Sequence, residues 1–118
     1  MTPERFAKLN AALARRQPDL TVLMDAVNKS HNVSAIIRTA DAVGVHRIHA
    51  LSTGDALRRH HMIAGGAVDY VELTLHRSTG AALAALKSDG WRLIAAHAGD
   101  GARDYRAVDY TAKVAIMV

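Results

Sequence analysis

The sequence predicts an α/β domain built on a mostly parallel sheet of about five strands with helices on both faces, preceded by an N-terminal helical extension. Three observations point there. Short aliphatic and β-branched segments at 20–27, 46–51, 71–75, 91–96 and 112–118 alternate with helix-period or polar segments, the order of strands joined by crossovers. Those segments read as continuous Val, Ile, Leu and Ala rather than as apolar and polar in turn, which marks strands covered on both faces. The chain has 118 residues, 50% of them apolar and none of them Cys, so it forms one domain whose core needs no disulfide. A chain of this size buries roughly two-thirds of its unfolded surface.

Each element has a local cause. Thr2 caps a first helix, with Pro3 at its first position and Glu4 near the positive end of the dipole, and the helix runs to about Arg16 before Pro18. Phe6, Leu9 and Leu13 form one stripe on it, and Arg5, Lys8, Arg15 and Arg16 lie mostly off that stripe. The first strand follows at 20–27. Asn32 or Ser34 then caps a helix over 33–43, which Gly44 stops. A second strand at 46–51 leads into a polar stretch with Arg58, Arg59, His60 and His61 and the small-residue loop Ala64-Gly65-Gly66-Ala67. After a third strand at 71–75, Ser78 caps a helix that turns Ala81, Ala82, Leu83, Ala85 and Leu86 inward and ends near Gly90. A fourth strand at 91–96, a polar loop or short turn at 99–110 and a fifth strand at 112–118 complete the pattern.

Charge and composition narrow the function. The formal net charge is +4, and residues 1–18 alone hold four cations, Arg5, Lys8, Arg15 and Arg16, against Glu4. A cationic leading segment on a balanced domain is one way nucleic-acid binders place their phosphate contacts, and an ordinary solvated helix face carries the same pattern. No apolar run approaches the roughly 20 residues that cross a bilayer, and no signal-peptide pattern opens the chain, so a soluble, cytoplasmic protein without a membrane partner is expected. Neither a Gly-x-Gly-x-x-Gly fingerprint nor a Walker-type loop is present.

Ligands of parallel α/β sheets sit beyond the carboxyl ends of the strands, and three segments there carry candidate chemistry. After the first strand, Asn32, Ser34 and the free amides of the next helix face a point where a phosphate or ribose meets donors and a positive dipole. Arg38 lies one turn beyond Ser34 on the same side. Its spacing allows two roles, an anion contact at this exit or an ion pair with Asp41 or Asp25. The run Arg58-Arg59-His60-His61 reads as a basic loop near phosphates, since adjacent His residues point to different sides and chelate poorly; no metal is expected. His97 with Asp100, at the exit of the fourth strand, suits a substrate pocket or a capped turn equally.

The stretch Asn32-Val33-Ser34-Ala35-Ile36-Ile37-Arg38-Thr39-Ala40-Asp41-Ala42-Val43-Gly44 closely resembles the first motif of the SpoU/TrmH branch of the SPOUT RNA methyltransferases. The resemblance extends to Ala14-Arg15-Arg16-Gln17-Pro18-Asp19-Leu20-Thr21-Val22, to His76-Arg77 and to Asp109-Tyr110-Thr111, in order and spacing, and so covers nearly the whole chain. It implies 2'-O-methyl transfer from S-adenosylmethionine to the ribose of a guanosine in the tRNA D-loop, by a protein that is a homodimer. By that likeness Arg38 matches the family's catalytic arginine and Asn32 the asparagine that helps arrange it. Residues 1–18 match a tRNA-binding extension carrying Arg5, Lys8, Arg15 and Arg16, and 19–118 match the N-terminal part of the methyltransferase domain. Ser34, Arg58 and Arg59 are further RNA-binding candidates, and His97 is a candidate cofactor contact. The family's two later motifs, a Gly-x-Glu-type loop after the fifth strand and a Ser-Leu-Asn-type segment, build its knot, much of its donor site and its dimer contact. The likeness therefore implies that this chain carries the substrate-side part of an incomplete α/β-knot domain, with the rest of the cofactor site expected beyond Val118.

The chemistry makes sense of an arginine. A ribose hydroxyl is a feeble nucleophile that must lose its proton as it attacks. Arg stays protonated, so it serves by stabilising developing alkoxide charge or by holding the adjacent phosphate, which can itself take the proton. The residues also allow a noncatalytic RNA-binding module, in which Arg5, Lys8, Arg15, Arg16 and Arg38 contact phosphates only.

Overall fold

A computed structural model describes residues 1–51 and 71–118. Helix α1 (Pro3–Ala14) leads to β1 (Leu20–Met24), α2 (Ser30–Val43), β2 (Arg47–Leu51), β3 (Glu72–His76), α3 (Thr79–Ser88), β4 (Arg92–Ala95), a 3-10 turn (Tyr105–Ala107) and β5 (Val114–Met117). The described strands form one sheet of order β3-β2-β1-β5-β4, and every pairing is parallel. The α/β class, the five strands and their parallel direction therefore stand as the sequence predicts. Arg58, Arg59, His60, His61, Gly65 and Gly66 lie outside the described residues.

Alternation along each strand splits the core into two layers. Leu20, Val22 and Met24 of β1 join Ile48 and Ala50 of β2 against Val33, Ile37 and Ala40 of α2. Leu23, between them, faces the other way and meets Ala115 of β5 and Ala82 and Leu86 of α3. Helices thus cover both faces, and this is why β1 carries no polar alternation. Of the residues expected to face inward on α3, Ala82 and Leu86 are buried and Leu83 is partly so, whereas Ala81 and Ala85 are exposed, because a ten-residue helix presents only one narrow stripe to a flat sheet.

Two local expectations are corrected. Helix α2 begins at Ser30, and Asn32 and Ser34 lie inside its first turns instead of capping it. Its first hydrogen bonds run from the Asn32 and Val33 amides to the Lys29 carbonyl, and Lys29, in extended conformation, supplies no side-chain cap. Burial decides this: Val33, Ser34, Ile37 and Ala40 reach the sheet together only if the helix is already formed before Val33. Strand β1 stops at Met24 because Ala26, at φ 56°, turns the chain out of the sheet. On α1 the apolar stripe is unburied, with Phe6 59% and Leu13 67% exposed, and no residue of the helix is buried.

Two caps follow the sequence closely. The Thr2 hydroxyl accepts from the Arg5 amide, and Ser78 Oγ accepts from the Ala81 amide. Gly44 ends α2 at φ 87°, with the Val45 amide donating back to the Ala40 carbonyl, as in a Schellman closure that lets Val45 enter the core.

One polar pair is enclosed in the sheet. His49 is only 8% exposed, its ring stacks on His76 with centroids 5.2 Å apart, and Nδ1 lies 2.9 Å from His76 Nε2. One ring's N–H donates to the other's lone pair, which requires an unprotonated nitrogen. Burial, and then the neighbouring His76 and Arg47, push the His49 pKa down to about 4. The unfolded chain therefore binds a proton that the native state refuses between pH 6.5 and about 4. This stabilisation is complete above pH 6.5 and is lost as the pH falls through about 4, at most about 3 kcal/mol in all. Urea unfolding at pH 7 and at successively lower pH values is expected to show that decline, and His49→Leu to flatten it.

Candidate active site

Strand order sets where a site forms. The chain runs outward from β1 through β2 to β3, crosses to the far edge at β4 and returns inward to β5, so the exit of β5 lies beside that of β1, and ligands of parallel sheets sit beyond such strand ends. The backbone closes tightly there. The Asp25 amide donates to the Val118 carbonyl at 2.7 Å, the Val118 amide to Leu23 at 2.9 Å and the Ala96 amide to Met117 at 2.8 Å. The Asp25 carboxylate accepts from the Thr79 hydroxyl at 2.6 Å, tying the loop after β1 to the first turn of α3. The segment 25–29 that leads into α2 is therefore held from both sides.

On α2, Asn32 is exposed in the first turn and Arg38 is exposed further along the helix. Six residues separate them, about 9 Å of helix rise, so they share the helix without sharing a face. Ser34 is buried, and among the described residues its hydroxyl has no hydrogen-bond partner. Arg38 meets neither acid that its spacing offered: Asp25 is bonded to Thr79, and Asp41 accepts from Arg16 Nη2 at 3.0 Å. Among the described residues, no hydrogen bond or ion pair reaches Arg38.

The basic extension separates into two kinds of residue. Arg5, Lys8 and Arg15 are exposed, as a phosphate contact requires. Arg16 is 15% exposed and engaged with Asp41.

His97 follows β4 and is exposed at the rim of a cavity of about 800 Å³. The cavity lies under the crossover from β4 to β5, with Ile94 and Ile116 in its lining and Arg103, Tyr105 and Tyr110 on the crossover side. A Cβ at position 99 would come within 3.1 Å of His97 Nε2, so Gly99 leaves room for the imidazole. Among the described residues, no group of three or more His, Asp or Glu is placed to hold a metal ion.

The bonds between Asp25 and Thr79 and between Arg16 and Asp41 were not legible beforehand. They join residues 54 and 25 positions apart, and no local pattern selects a partner at such distances. The one available signal was Asp25 itself, an acid directly after a buried strand. Thr79→Val keeps the side-chain shape and removes a donor to a carboxylate, a change worth about 1.5 kcal/mol. Amide exchange of residues 25–29 is expected to accelerate in that variant and to remain slow in Thr79→Ser.

Comparison with known proteins bears on this site. The pattern of the SpoU rRNA Methylase family matches residues 19–118. The tRNA (guanosine(18)-2'-O)-methyltransferase of Escherichia coli (strain K12) is 49% identical over 118 residues, which are 100% of this chain and 52% of that protein. The chain thus spans about half the length of the curated relatives it matches. In three dimensions it superposes on the A. aeolicus TrmH/SpoU tRNA modifying enzyme with a TM-score of 0.85 at 31% identity, covering 98% of this chain and 59% of that one. The AdoMet-bound rRNA methyltransferase from Sinorhizobium meliloti shares the fold, with a TM-score of 0.68 at 24% identity over 87% of this chain and 43% of that one. A family match over residues 19–118, together with the shared fold, means that this chain belongs to the SpoU methylase family.

Proposed function

We propose that the protein bearing this chain is a tRNA ribose 2'-O-methyltransferase that uses S-adenosylmethionine and modifies a D-loop guanosine. The observation that carries the reading is Arg38, exposed on the helix that follows the central strand β1, with both acids its spacing offered held by other side chains. Identity of 49% along the whole chain to a protein named for that activity supports the substrate.

Residues 1–18 act as the tRNA-binding extension, and 19–118 belong to the methyltransferase domain. Two facts support this division: α1 buries no residue, and the family match begins at residue 19. Arg5, Lys8 and Arg15 neutralise backbone phosphates, and Arg58 and Arg59 join them as a basic run in the sequence. The unburied stripe of Phe6, Leu9 and Leu13 supports assembly, and we take the protein to be a homodimer acting in the cytoplasm, where tRNA is found.

Arg38 stabilises charge that develops on the ribose oxygen, or holds the phosphate beside it, and a guanidinium does either without changing its own protonation. Asn32 presents an amide at the start of the same helix, where free backbone N–H groups favour an anion. A phosphate oxygen held by Arg38 can take the proton of the hydroxyl. S-adenosylmethionine supplies an electrophilic methyl group when bound. The cavity beside His97 suits it in kind: its volume lies within the range of nucleotide-sized pockets, and it sets Ile94 and Ile116 with a few polar side chains. His97, and Tyr105 across the cavity, are the side chains of this chain that would hold it.

In the full-length protein, Arg38→Ala is expected to reduce methyl transfer to tRNA by about 100-fold or more. Affinity for tRNA should stay within a few-fold of the parent and fall linearly with salt on logarithmic axes. Binding measured by fluorescence anisotropy beside single-turnover transfer checks this. Comparable loss of both would make Arg38 a phosphate contact and the chain an RNA-binding module.

A further inference from the structure

We infer that Arg16 is a positioning residue for Arg38: by holding Asp41, it keeps that carboxylate from pairing with and neutralising the catalytic guanidinium. This rests on the methyltransferase reading for the role of Arg38, although the arrangement of charges stands by itself.

Arg38 and Asp41 are three residues apart on α2, the spacing at which helical side chains meet and opposite charges attract. Left alone, Asp41 would turn to Arg38. Asp41 also sits in the last turn of α2, where the helix dipole disfavours an acid and any nearby cation is drawn in. Instead its Oδ1 accepts from Arg16 Nη2 at 3.0 Å, with the two side chains 15% and 30% exposed. That contact outcompetes an exposed pair on the helix surface because it lies partly out of water, where the attraction is less screened.

The backbone fixes Arg16 in place. The Gln17 amide donates to the Gly44 carbonyl at 2.8 Å, and the Arg15 carbonyl lies so close to Gly44 that a Cβ there would stand 2.5 Å from it. The segment leaving α1 is therefore laid against the end of α2, and Arg16 reaches Asp41 from a constrained start. The pair is a poor stabiliser of the fold, since among the described residues Arg16 Nη1 is buried without a partner and a partly desolvated ion pair gains little net energy. What it does accomplish is the placement of Asp41. It also links the two segments that meet the RNA, the basic extension and the helix carrying Arg38.

A double-mutant cycle on the full-length protein tests this, with Arg16→Gln chosen because it keeps the side-chain stem. Arg16→Gln should lower kcat about tenfold with less change in KM for tRNA, because Asp41 then turns to Arg38. Asp41→Asn, which breaks the same ion pair but removes the competing acid, should keep kcat within a few-fold of the parent. The double variant should regain most of the lost kcat. A purely structural pair predicts the opposite, with all three variants impaired alike, and that result would overturn the inference. The Arg38 Nε–Hε signal in 15N NMR reads the contact without turnover: it should shift and exchange more slowly in Arg16→Gln alone, and no change there would also overturn it. If the signal shifts as expected while the parent transfers no methyl group, the charge arrangement is upheld and the methyltransferase reading fails separately.

Discussion

Strand β1 is hydrogen-bonded in parallel along both edges, to β2 through Val22, Leu23 and Met24 and to β5 from Leu20 to Leu23. With both edges paired and both faces covered, its side chains are buried or half-buried, and the one polar residue on it, Thr21, satisfies its hydroxyl on the Arg47 carbonyl. That central strand sets the rest. Its alternation sends Met24 to one layer and Leu23 to the other, so α2 and α3 must lie on opposite faces. Its exit falls beside that of β5, and the turn at Ala26 carries the chain from the sheet directly into the helix bearing Arg38.

Around this frame the acids are committed to structural partners. Asp25 receives the Thr79 hydroxyl, and Asp41 receives Arg16. Asp89 is held below the usual carboxylate range by hydrogen bonds from Trp91 and Lys113, and Asp104 by those from Arg106. Among the described residues no carboxylate pairs with Arg38, and a guanidinium without such a partner is open to a phosphate or an oxyanion. The same economy explains why Arg16 differs from Arg15 next to it: one turns to the interior of the molecule and the other to solvent.

Much of this was visible in the amino-acid order. Continuous aliphatic segments announced strands buried on both faces, and Thr2, Ser78 and Gly44 marked helix ends that the structure keeps. The motif from Asn32 to Gly44 carried the family, and with it the expectation for Arg38. Asn32 and Ser34 misled as caps because Ser and Asn favour helix starts only when nothing stronger acts, and burial of Val33 and Ile37 acts more strongly here. The stripe on α1 was read correctly as a stripe. Periodicity shows that apolar residues share a face and says nothing about what covers it.

Local chemistry thus settled the class of fold, the order of strands and helices along the chain, and the segment that bears the family motif. These depend on neighbours within a turn or two, or on the period of burial. Which cation Asp41 would meet, which donor Asp25 would accept and how the strands would be ordered across the sheet came only from the tertiary structure. Each of those depends on residues brought together across 25 or more positions, and at such separations the geometry of packing, rather than propensity, selects the partner.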